Sequence, residues 1–125
     1  MTLILYCNKD KAIGTRVVRD LQTLNQDYEY AAVQSIDDVV DCIFQRSDLG
    51  LIITAKNLND GEFAWDVANE ANDTASCYKG QVIYADQTAC PTQKVNKFTE
   101  IVNNNDYELL ILQLSEYIEK GDWKN

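Results

Sequence analysis

The sequence predicts a doubly wound α/β fold, a three-layer α/β/α sandwich built on a five-stranded parallel sheet. Three observations carry that prediction. Short apolar runs rich in strand formers alternate with stretches of helical periodicity about five times along the chain. The runs are apolar throughout rather than every second residue, as strands buried on both faces are. The pattern fits into 125 residues, the size of one hydrophobic core, so residues 1–125 are read as one domain.

The first run, Thr2 to Cys7, reads as a buried strand. Ile13, Val17, Leu21 and Leu24 follow at spacings of four, four and three, which places them on one helical stripe. Tyr28 to Val33 is a second strand. Ser35, three residues before Asp38, opens a helix in the manner of a capping box, with Ile36, Val39, Val40, Ile43 and Phe44 on its apolar face. Leu49 to Thr54 is the clearest strand, and the turn-forming run Asn57 to Gly61 follows it. A third helix holds Phe63, Ala64, Val67, Ala68 and Ala71, small enough to pack close to a sheet. Gln81 to Ala85 is a fourth strand and Phe98 to Val102 a fifth. Asn103 to Asn105 are read as loop. Asp106 then caps a last helix bearing Leu109, Leu110, Leu114, Tyr117 and Ile118. The stretch from Asp86 to Lys97, which holds the one proline, Pro91, has weak periodicity. Strand–helix alternation of this kind gives right-handed crossovers, and the functional crevice then lies at the carboxyl ends of the strands, near Cys7, Thr54, Ala85 and Val102.

Composition narrows the function classes. Apolar residues make up 46 % of the chain, ample for a core and too many for disorder. The formal net charge of -9 argues against direct binding to nucleic acid or anionic lipid. The N-terminus lacks a basic leader with a long apolar run, and no stretch reaches membrane-spanning length, so a cytoplasmic protein is expected. There is no histidine, which excludes a histidine base, triad or phosphocarrier. Cys7, Cys42, Cys77 and Cys90 form no C-x-x-C pair, so neither zinc nor another metal is expected, and reduced thiols are the default.

The third strand and its exit, Leu51-Ile52-Ile53-Thr54-Ala55-Lys56-Asn57-Leu58-Asn59-Asp60-Gly61, resemble the stretch of response-regulator receiver domains in which an apolar strand delivers the phosphoacceptor aspartate. The first strand and its exit, Leu3 to Ile13, are similar to the family's strand that ends in acidic metal ligands. The resemblance spans nearly the whole chain in element order and implies flavodoxin-like receiver topology with a shortened fourth helix. It also implies a role in two-component signal transduction. Carried over residue by residue, the phosphoacceptor falls at Ala55, or at Thr54 if the register slips by one. The acidic pair that holds magnesium falls at Asn8 and Lys9, with Asp10 just beyond. The switch Ser/Thr falls near Ala85 and Asp86. The lysine after the fifth strand falls between Val102 and Asn104, around Asn103, yet no lysine occurs between Lys97 and Lys120. Phosphoryl transfer to a carboxylate needs a nucleophilic oxygen, a divalent cation and cationic stabilisation of the equatorial oxygens. The expectation is therefore a pseudo-receiver, an atypical receiver domain that is no enzyme. It binds no cofactor and works by phosphorylation-independent protein–protein interaction, with a second copy of the chain among the partners to consider.

Two rival readings are open. Cys7, ending a strand at the crevice, could serve as a phosphocarrier nucleophile, but the charged run Asn8 to Ile13 suits a phosphate cradle poorly, and a buried structural thiol is expected. A small-molecule site could use Lys9, Asp86 and Asn103. Lys9 is instead expected to pair with Asp86 across the vacant pocket. No Gly-rich phosphate loop is present, and Gly14-Thr15 is too little for FMN. Trp65 is expected to flank the core, whereas Trp123 is expected either to cap the domain or to dock on a partner.

Overall fold

A computed structural model of the chain describes residues 1–73, 78–90 and 92–124. Its strands are β1 (Leu3–Cys7), β2 (Glu29–Val33), β3 (Leu49–Thr54), β4 (Gln81–Asp86) and β5 (Ile101–Asn103). Its helices are α1 (Lys11–Leu24), α2 (Ile36–Gln45), α3 (Ala64–Asp73) and α4 (Tyr107–Lys120). The strands pair in the order β2-β1-β3-β4-β5, all parallel, as the doubly wound reading requires. A 3-10 turn at Thr92–Lys97 stands where the resemblance implies a shortened fourth helix. Cys77 and Pro91 lie outside the described residues.

All five residues of β1 are buried, which explains the unbroken apolar run. Alternate side chains serve opposite layers. Leu3, Leu5, Cys7, Ile52, Val82 and Tyr84 pack with α2 and α3. Ile4, Tyr6, Leu51, Ile53, Ile83 and Ala85 pack with α1 and α4.

The helix starts are set by side chains. Ser35 accepts from the Asp38 amide at 3.2 Å, and Asp106 accepts from the Leu109 amide at 3.2 Å, as expected. The periodic stripes hold only in part. Val17 and Leu21 are buried, whereas Ile13, Leu24, Phe44, Phe63 and Leu109 are largely exposed. Buried Ile111 and Ser115 belong to the inner face of α4 instead. The fifth strand is later and shorter than its apolar run: Phe98 turns into the core ahead of it, and Asn103 closes it rather than opening a loop.

Trp123 caps the domain. It is 2 % exposed, its Nε1 donates to the Ile118 carbonyl at 3.0 Å, and its ring meets Tyr28 edge-on at 5.3 Å. The β1–β3 register shifts beside Gly50, where a Cβ would come within 3.1 Å of the Trp123 ring and 2.7 Å of Thr2. Nearby, Arg46 ties the end of α2 to Asp48 and to Glu29 of β2. Among the described residues no helix is long and apolar enough to cross a membrane.

Two substitutions are expected to affect stability differently. Trp123→Ala empties a packed site and should cost about 3 kcal/mol or more in urea unfolding. Among the described residues the buried Tyr30 hydroxyl has no hydrogen-bond partner. A buried polar group left unsatisfied costs about 1–3 kcal/mol, so Tyr30→Phe should leave the urea midpoint unchanged or raise it.

Candidate functional site

The carboxyl ends of β1, β3 and β4 meet in a pocket of about 360 Å³. Of the residues singled out from the sequence, Asn8 and Asp86 line it, joined by Tyr6, Lys56, Asn57 and Thr88. Thr54 at the end of β3, Ala55 just beyond it and Ala85 of β4 are buried. Lys9 and Asp10 are exposed on the β1–α1 turn, and Asn103 is exposed on β5.

Asn8 organises the β1 exit. It is 4 % exposed; its Nδ2 donates to the Tyr6 hydroxyl at 3.0 Å, and its Oδ1 accepts from the Asp10 amide at 2.9 Å and from Asn57 Nδ2 at 3.3 Å. The main chain closes the same edge. The Ala55 amide donates to the Cys7 carbonyl at 2.9 Å, and the Lys9 amide donates to the Asn57 carbonyl at 2.7 Å. Thr54 turns its hydroxyl onto the Ala55 carbonyl at 2.9 Å.

The two carboxylates at the strand exits are both engaged by backbone amides. Asp10 is the N-cap of α1, accepting from Ala12 at 2.9 Å and Ile13 at 3.2 Å. Asp86 accepts from the Lys56 amide at 2.7 Å and the Thr88 amide at 3.2 Å, which ties the β3 exit to the β4 exit. The expected Lys9–Asp86 ion pair is not formed. Asp86 meets backbone amides instead, and Lys9 is held by its main chain, its carbonyl accepting from Gln34 Nε2 at 3.2 Å. On the far side Asn103 Nδ2 donates to the Asp86 carbonyl at 2.9 Å, so the position expected to carry the family's lysine latches β5 to β4.

Sequence reading misses Tyr6 and Thr88. Tyr6 sits mid-strand in an apolar run that looks like pure core, and only the alternation of faces would bring its hydroxyl to the pocket. Burial pushes the Tyr6 phenol up to about 12, against the lowering effect of its bond to Asn8. Burial likewise pushes the Cys7 thiol up to about 12, with Glu62 and Asp38 adding to the effect. Cys42 and Cys90 are raised for the same first reason.

Cys7 should therefore resist iodoacetamide at neutral pH while the chain is folded, as read by peptide mass mapping. Its folded value lies above the unfolded 9.0, so the neutral thiol favours folding below pH 9 and that contribution fades between pH 9 and about 12. Tyr6 acts in the same direction from 10.0 to about 12, so alkaline unfolding should set in within this window. Asp10→Ala should cost about 1 kcal/mol through the lost cap, by the same amount with and without magnesium.

No family model and no curated protein matches the sequence. Solved structures do match. A DNA-binding response regulator of the LuxR family from Staphylococcus aureus superposes with a TM-score of 0.74 at 19 % identity, covering 96 % of this chain and 98 % of that one. The chemotaxis response regulator CheY4 of Vibrio cholerae gives 0.73 at 12 %, covering 94 % and 98 %. A chain from the crystal structure of a histidine kinase in complex with a response regulator protein gives 0.75 at 17 %, covering 96 % and 97 %. Along essentially its whole length, this chain has the fold of response-regulator receiver domains.

Proposed function

We propose that the chain is a signalling module of the receiver type that acts in the cytoplasm by binding protein partners, without aspartyl phosphorylation and without a catalytic step. The observation that carries this reading is the engagement of the strand-exit carboxylates. Asp10 and Asp86 each accept from two backbone amides, which caps α1 and ties β3 to β4, and among the described residues no group of three carboxylate, thiol or imidazole side chains is placed to hold a metal ion. Magnesium at such sites is held through one or two carboxylates with waters, and here both oxygens of Asp86 already accept backbone amides. The methyl of Ala55 offers no nucleophilic oxygen. No cation follows β5 to stabilise a transferring phosphoryl group, because Asn103 occupies that place. Protein partners are the usual output of such a domain, and one of its structural neighbours was solved with a histidine kinase.

A second reading is favoured by one observation. The Tyr6 hydroxyl lines the pocket and accepts from Asn8, while among the described residues its own proton has no acceptor. A small molecule carrying an acceptor could fill that place, and thermal-shift screening of polar metabolites would detect it.

Incubation with acetyl phosphate and magnesium, read by intact mass, should leave the chain unmodified, and affinity for a captured partner should be the same before and after. Gain of one phosphoryl group would overturn the proposal.

A further inference from the structure

We infer that the outer face of α1 and α4 is the contact surface for a second copy of this chain, in a two-fold dimer that sets α1 of one protomer on α4 of its partner. The inference rests on the reading of the chain as a binding module and names the partner.

Exposed aliphatic side chains concentrate here. Leu24 of α1 and Leu109 and Leu112 of α4 are each between 47 % and 49 % exposed. Leu24 and Leu112 line one groove of about 300 Å³ together with Asp20, Glu108 and Ile111, so they sit at the same level of the two helices. The arrangement is held rigidly: Tyr107 donates its hydroxyl to Asp20 at 2.8 Å, and the Arg16 guanidinium lies 3.9 Å over the Tyr107 ring. Two apolar edges facing solvent across a fixed groove are what an isologous interface needs at its centre.

Charge selects the occupant. The two helices differ in sign. α1 carries Lys11, Arg16 and Arg19 against Asp20 alone, whereas α4 carries Glu108, Glu116 and Glu119 against Lys120 alone. Arg16 and Arg19 share the single carboxylate of Asp20, at 4.0 and 3.5 Å. Among the described residues Glu108, Glu116 and Glu119 have no ion pair. A face split into a basic and an acidic half complements itself.

Geometry then fixes the symmetry. Both helices follow parallel strands, so they run in the same direction. A two-fold axis lying along the groove places α1 of one protomer against α4 of its partner, with Arg19 beside the partner's Glu108 and Leu24 beside the partner's Leu112. An axis running across the groove would set arginine against arginine and glutamate against glutamate, which costs free energy.

Light scattering and sedimentation velocity on the full chain, from micromolar to near-millimolar concentration, test this. The native chain should dimerise with concentration. Arg19→Glu and Glu108→Arg should each raise Kd by about tenfold or more, and the double variant, which swaps the pair in both copies of the contact, should return Kd to within about threefold of native. Leu112→Lys, or Leu24→Lys should the first fail to fold, should give monomers with an unchanged circular dichroism spectrum. A chain that stays monomeric throughout, or a dimer whose Kd ignores these substitutions, overturns the inference. A monomer that still captures a different protein overturns it while leaving the binding-module reading intact; phosphoryl transfer to the chain would sink that reading and leave the dimer measurement untouched.

Discussion

A parallel sheet leaves unpaired amides where its strands end, and the rest of this molecule is organised around satisfying them. At the carboxyl edge the amides of Ala55, Asn8 and Lys9 find carbonyls of neighbouring segments, while those of Lys56, Thr88, Ala12 and Ile13 find carboxylates. Buried backbone groups are almost always paired, because leaving one bare forfeits a hydrogen bond in a medium that cannot replace it. The edge thus draws Asn8, Asp10 and Asp86 into structural duty. Asn8 is the clearest case. A neutral carboxamide that both donates and accepts can bridge Tyr6, Asp10 and Asn57 at once, where an ionised carboxylate could only accept and would carry charge into a buried place.

How much of this is legible in the sequence follows from what each signal encodes. β1 and β3 are plain because a short run that is apolar at every position is what burial on both faces of a sheet produces. The α1 and α4 stripes overstate burial: Ile13, Leu24 and Leu109 repeat at helical spacing, yet periodicity reports which residues share a face, not how far a neighbouring helix covers it. β5 starts later than its apolar run because Phe98 advertises a strand while its ring packs into the core, 5.8 Å from Tyr84. At the candidate site the limit is chemical. An aspartate just after a strand is equally a metal ligand or a helix cap, and only geometry shows that Asp10 caps α1. Lys9 opposite Asp86 invites a salt bridge, but competition from nearby amides is invisible in a string of letters.

The two helical layers also differ in their fields. α2 carries Asp37, Asp38 and Asp41, and α3 carries Asp66, Glu70 and Asp73, with no basic residue in either helix. The opposite layer holds the arginines of α1. The net negative charge of the chain is therefore lopsided, which orients approaching molecules before any contact forms. The exposed Phe63, stacked on Trp65 at 4.6 Å, stands at the start of the acidic layer.

The carboxamide of Asn8 has a consequence for how the β1 exit meets acid. An amide does not gain a proton as a carboxylate does, so the bridge it makes among Tyr6, Asp10 and Asn57 keeps its donors and acceptors at a pH where a carboxylate in its place would have been neutralised. Acid reaches the strand exits through Asp10 and Asp86, not through the buried side chain between them.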